Sequence, residues 1–131
     1  MAEISNAFIA DFELISRLKK HSRPVVRPVL FRKGESPTAV YLVHKGEVLL
    51  SAQRGDSFTI RAAPGSLLGI PAVVGSKPYS LTAEALPGGE VQVVTADDFI
   101  LLMQAEPALA FQVLQILAAE VRLARETLAH A

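Results

Sequence analysis

From Val25 to Val94 the chain is a series of short apolar and β-branched runs, each closed by a turn signal. The runs are Val25–Phe31, Ala39–His44, Gly46–Ala52, Ser57–Ala62, Leu81–Leu86 and Val91–Thr95. The breaks between them are Lys33-Gly34, Lys45-Gly46, Arg54-Gly55-Asp56, Pro64-Gly65 and Pro87-Gly88-Gly89. Short strands spaced about 8–12 residues apart predict a sandwich or barrel. Gly34, Gly46 and Gly65 fall where the turns need positive φ, which glycine adopts without steric cost. Arg54-Gly55-Asp56 matches an adhesion tripeptide, but between two strand runs it reads as a hairpin turn.

Both flanks change period. Residues 1–22 are expected to hold an N-terminal helix, because Phe8, Phe12, Ile15 and Leu18 recur at spacings of three and four. Arg17, Lys19 and Lys20 suit the negative end of its dipole, and Pro24 ends it by forcing Arg23 out of the helical region. After residue 95, Thr95-Ala96-Asp97-Asp98 has the form of a capping box, with Asp replacing the preferred Glu. A short helix over Asp97–Ala105 follows. Pro107 then starts a longer helix, tolerated in the first turn. Leu109, Val113, Ile116, Leu117, Val121, Ala124 and Leu128 form its apolar stripe, flanked by Glu120, Arg122, Arg125 and Glu126.

At 131 residues, half of them hydrophobic, the chain fits one globular domain, 1–131, with a core of its own. Thirteen basic residues against thirteen acidic ones leave no basic excess for nucleic acid. The absence of Cys excludes disulfides and thiolate metal sites. His21, His44 and His130 lack metal-ligand spacing, so a cupin-like metal barrel is not expected. There is no nucleophile elbow. No enzyme chemistry, cofactor or metal is expected. The N-terminus lacks the basic region of a signal peptide, and no apolar run reaches the roughly 18–20 residues of a membrane span. A cytoplasmic location is the expectation.

The segments LFRKGE (30–35), AVYLVHKGEV (39–48) and PGSLLGIPAVVGSKPYSLTAEA (64–85) together resemble the cyclic-nucleotide-binding domain of the Crp/Fnr regulators. The resemblance covers about residues 25–125. It implies a mainly β fold with flanking helices: a double-stranded β-helix, or jelly roll, over 25–95, with an N-terminal helix and C-terminal helices over 96–131. In that family a Gly-Glu pair followed by Arg-(Ser/Thr)-Ala cradles the nucleotide. The Glu accepts from the ribose 2′-hydroxyl and the Arg pairs with the cyclic phosphate. Here Gly69 keeps the glycine, but Ile70 stands at the Glu position and Tyr79 at the Arg position. Pro71 removes a further backbone donor.

Charge-assisted hydrogen bonds contribute about 1.5–3 kcal/mol each, so losing both contacts costs on the order of a hundred- to a thousandfold in affinity. Two readings of the cradle remain open. In one, Ile70 and Tyr79 fill the vacated pocket as core. In the other, a rebuilt cradle of Leu68, Gly69, Ile70, Ala72, Lys77, Tyr79, Ser80 and Thr82 takes a cyclic nucleotide or another small anion. There Lys77 acts as a point charge and Tyr79 stacks on a purine. The resemblance also implies a homodimer seam along Leu109, Val113, Ile116, Leu117, Val121, Ala124 and Leu128. Crp/Fnr transcription factors continue into a helix-turn-helix that this sequence lacks, so direct DNA binding is not expected. The expected role is regulatory, in signal transduction, through a second copy or a protein partner.

Overall fold

One of the two sheets has a central strand buried on both faces, and that explains the strand's sequence. A computed structural model describes residues 3–54 and 56–129, and the side-chain surroundings of 4–52 and 59–123. Nine strands and four helices follow in the order β1 (Glu3–Ser5), α1 (Phe12–Lys19), β2 (Arg23–Val25), β3 (Val29–Phe31), β4 (Ala39–Lys45), β5 (Val48–Arg54), β6 (Asp56–Ala62), β7 (Leu67–Leu68), α2 (Ile70–Gly75), β8 (Thr82–Ala85), β9 (Glu90–Thr95), α3 (Ala96–Ala105) and α4 (Pro107–Ala129). They form a five-stranded sheet, β1-β6-β5-β8-β3, and a four-stranded sheet, β2-β9-β4-β7. All pairings are antiparallel except that of β1 with β6.

β4 shows the layering. Ala39, Tyr41 and Val43 belong to the core between the two sheets, with Phe31, Val48, Leu50, Ala62, Ala83 and Val91. Val40 and Leu42 belong to a second core, with Leu14 and Leu18 of α1, Ile70 and Val73 of α2, Phe99 and Leu102 of α3, and Leu109, Val113 and Ile116 of α4. A strand covered on both faces has no polar side, so Ala39–Val43 is an unbroken apolar run. Each fully buried Leu or Phe in these two layers contributes about 1.5–3 kcal/mol relative to an exposed one. The jelly-roll expectation and the helical C-terminus both hold. α3 begins at the expected cap, where Thr95 Oγ1 accepts from the Asp98 amide at 3.2 Å.

The N-terminal expectation needs correcting. Residues 3–5 form a strand beside β6, and the helix starts only at Phe12. Asp11 is its N-cap, accepting from the Leu14 amide at 2.9 Å. Phe12 is 85% exposed, whereas Leu14 and Leu18 are fully buried. Phe8, read as part of the same stripe, enters the inter-sheet core from the segment before the helix. Leu18 and Ile15 of the expected stripe do face the core, whereas Phe8 lies outside the helix and Phe12 faces away; the Asp11 cap sets the start. Val25–Phe31 is likewise two strands in different sheets, β2 and β3. The short β7 had no counterpart among the sequence runs.

Gly46 lies at φ +71° in the turn that carries the chain from β4 in one sheet to β5 in the other, where a Cβ would lie 2.7 Å from Gly89 Cα. Two glycines thus let two turns that cross between the sheets touch backbone to backbone. Gly46→Ala is expected to lower stability by about 2 kcal/mol, from left-handed backbone strain plus this contact. Denaturant unfolding checks it.

Candidate functional site

The segment from β7 to β8 carries the features the sequence singled out. Gly69 sits at φ +89° as the N-cap of α2. A side chain there would meet Ala39 O and Tyr79 Cε1, each at 3.1 Å. Glycine is therefore required twice, by the backbone angle and by the ring beside it.

That ring is the centre of the site. Tyr79 is 3% exposed. Its ring stacks on Phe31, with centroids 4.0 Å apart and planes 16° apart. Its hydroxyl donates to Ala39 O at 2.6 Å and accepts from the amides of Ala39 at 3.1 Å and Thr38 at 3.2 Å. Its own amide donates to Glu35 O at 3.0 Å, and its carbonyl accepts from the Gly34 amide at 2.8 Å. Tyr79 is thus bound at both ends to the 34–39 segment, which joins β3 to β4. The phenol oxygen has no capacity left for a ligand.

What remains of the cradle is a cavity of about 50 Å³. Phe8, Phe31, Leu50, Leu68, Gly69, Pro71, Ala72, Tyr79, Ser80 and Leu81 line it, with Glu120 of α4. Ligand pockets usually run to about 300–1,000 Å³, and this space is several times smaller, with room for a few waters. It contains no cation. Its one charged residue is the carboxyl of Glu120, which burial pushes up from 4.5 to about 8.

Of the eight candidate ligand residues, five line this cavity: Leu68, Gly69, Ala72, Tyr79 and Ser80. Ile70 does not. It is fully buried in the second core, among Val40, Leu42 and Phe99, so it fills the helix-facing layer and not the vacated pocket. The expectation that Ile70 and Tyr79 share one pocket is corrected: only Tyr79 occupies it. Lys77 is exposed outside the cavity lining, and its amide closes α2 by donating to Ala72 O. Thr82 Oγ1 accepts from the Lys33 amide at 3.0 Å and so holds the 32–38 segment.

The sequence reading did not single out Glu120 as a site residue. A signal existed: Val113, Ile116, Leu117, Glu120 and Ala124 are spaced three and four apart, so an acid interrupts the apolar stripe. On the far side of Tyr79 an open groove of about 550 Å³ is lined by Arg27, Glu35, Ser36, Thr38 and Tyr41 among others. Arg27 is already engaged there, donating to Val29 O, Leu30 O and Tyr41 Oη at 3.0, 3.1 and 2.9 Å. Burial pushes the Tyr41 phenol up, against the pull of Arg27.

The long-helix stripe also divides. Leu109, Val113 and Ile116 are 1, 3 and 5% exposed in the chain's own core, and Leu117 packs against them. Leu109, Val113 and Ile116 are thus buried in the chain's own core and offer no surface to a second copy, which corrects that part of the expected seam. Among the expected seam residues Val121 is exposed, while the side chains of Ala124 and Leu128 lie outside those described. Among the described residues of α4 the exposed large apolar ones are Phe111, Leu114 and Val121, spaced along one different face. Among the described residues no three His, Asp or Glu gather to hold a metal. No single described helix is long and apolar enough to cross a membrane.

A family profile described as the cyclic nucleotide-binding domain matches residues 27–106, more than half of the chain. The chain belongs to the cyclic nucleotide-binding domain family. No curated protein matches it at the level of sequence. Among solved structures it is similar to the catabolite activator protein of Thermus thermophilus, with 24% identity and a TM-score of 0.75. That match covers 91% of this chain and 59% of that one. The c-di-GMP responsive global regulator CLP of Xanthomonas campestris is 21% identical, with a TM-score of 0.65 and coverage of 90% and 60%. Oxidised CprK in complex with o-chlorophenolacetic acid is 15% identical, with a TM-score of 0.73 and coverage of 98% and 54%. At these identities the likeness is one of fold. The chain spans about three fifths of the Thermus protein.

Tyr79→Phe tests the closure of the cradle. It removes three hydrogen bonds and leaves the buried Ala39 amide without its hydroxyl partner. The expected loss of stability is about 1–3 kcal/mol, read from chemical denaturation against wild type.

Proposed function

We propose that this domain is a non-enzymatic regulatory module that does not take cyclic AMP or cyclic GMP by the family's Glu and Arg contacts. It works instead through a second copy of itself or a protein partner. The observation that carries this reading is the Tyr79 ring, seated where the resemblance puts a phosphate-binding Arg, with its hydroxyl closed on Ala39 and Thr38. The remaining 50 Å³ is too small for a nucleotide and has no cation to meet a phosphate. The fold itself does not fix a ligand. The neighbours of this fold are described with different ligands, c-di-GMP responsiveness for one and o-chlorophenolacetic acid for another.

The surface offered to a second copy is the outer face of α4, with Phe111, Leu114 and Val121 at 62, 59 and 53% exposure. Apolar residues this large and this open on one helix face favour a covered state. The family resemblance, with its dimer through the long helix, supports the same reading.

Isothermal titration calorimetry with cyclic AMP and cyclic GMP, taken separately to millimolar concentration, tests the closed cradle. The expected result is no saturable heat from a folded sample. Low-micromolar binding of either would replace this reading with the rebuilt sensor. For the surface, Phe111→Glu combined with Leu114→Glu is expected to give a folded monomer by light scattering, where wild type is a dimer. A wild type already monomeric at high micromolar concentration would sink the pairing.

A further inference from the structure

Glu120 is the single charged side chain lining the cavity that the closed cradle leaves, and it comes from α4 while every other lining residue comes from the body of the domain. Phe8, Phe31, Leu50 and Leu68 surround that space. None of the described residues gives the carboxyl an ion-pair or hydrogen-bond partner. One turn further on, Leu123 packs against the inter-sheet core, so the helix rests on the barrel on either side of this acid.

We propose that the domain senses protons through Glu120: the neutral acid lets α4 lie over the cradle, and the carboxylate lifts it. The inference rests on the closed cradle argued above, since a nucleotide in that space would supply other partners.

A carboxylate half-buried against an apolar cavity has lost part of its water without gaining a protein donor, and that cost is relieved either by a proton or by moving out. Burial is the cause of its raised value, about 8 against 4.5. The surroundings of α4 hold little to oppose this. Within the cavity the other titratable group is Tyr79, whose hydroxyl is committed to Ala39 and Thr38. On the other flank of α4 a groove with Gln112, Gln115 and Ala119 contains Asp11, which is engaged as the α1 cap. At its start, Glu106 pairs with Arg17 of α1 at 3.0 Å. Arg122 on α4 and Lys77 beyond α2 are exposed and outside the cavity lining.

The sign follows from proton binding. The docked state holds its proton up to about pH 8, whereas a released carboxyl loses it near 4.5. Docking is therefore at full strength below the lower value, weakens as pH rises between the two, and changes no further above about 8. In that window the undocked-to-docked ratio is expected to rise about tenfold per pH unit.

The test uses the full chain. Because it has no native Cys, spin labels at Glu84→Cys and Arg122→Cys, both exposed positions, report the distance from β8 to α4 between about pH 5 and pH 9. The expected result is one narrow distance at low pH that gives way to a broad, longer distribution as pH rises. Adding Glu120→Gln, which keeps the shape and removes the charge, is expected to hold the narrow distance throughout. All other titrating groups are common to the two proteins, so their difference reads Glu120 alone. A wild-type distance that does not change with pH, or a Glu120→Gln protein that changes in the same way, overturns the proposal. Nucleotide binding shows in the calorimetry described above and not in this pH response, so the two readings fail separately.

Discussion

The site depends on one phenol. The Tyr79 hydroxyl is at once donor to Ala39 O and acceptor from the Ala39 and Thr38 amides. It thereby completes the hydrogen bonding of the backbone at the start of β4. Gly69 must stay side-chain-free to admit the ring, Phe31 provides the surface on which it stacks, and the 34–39 segment folds around it through Gly34 and Glu35. An Arg at this position would bring a charge that these carbonyl and amide groups cannot satisfy without an anion. The tyrosine satisfies them with no ligand at all.

Beneath the site lies the doubly buried sheet. β4 and β9 present alternate residues to the other sheet and to the helices, so the two cores share a wall one strand thick. Ile70 and Ala72 show how narrow the division is. They are two residues apart on a six-residue helix, yet Ala72 faces the inter-sheet core and Ile70 the helical one.

Much of this architecture could be read from the sequence because its signals are local. Glycines at turns, Thr95 before α3 and Pro107 at the head of α4 act through their own backbone angles and nearest amides. They gave the strand breaks and the C-terminal helices. The N-terminus was less legible because Phe8 and Phe12 fit a helical spacing that Asp11 overrides, and residues 3–5 become a strand only through β6, more than fifty residues away. In the cradle, sequence position identified Tyr79 and Gly69. It could not tell that Ile70 turns into the other layer, because the direction of a side chain at a helix N-terminus is set by how that helix docks. Glu120 was missed for a similar reason. An acid on a helix reads as a solvated face until the tertiary structure places a cavity beneath it.

The rims of the two sheets have a consequence for how copies of this domain can meet. The outer strands are β1 and β3 in one sheet and β2 and β7 in the other, and each has only two or three residues. β2 also carries Pro24, which has no amide to donate. Such short borders give an incoming strand little ladder to extend along β1, β2, β3 or β7. Side chains on the helical surface, by contrast, can be substituted one at a time without disturbing these ladders.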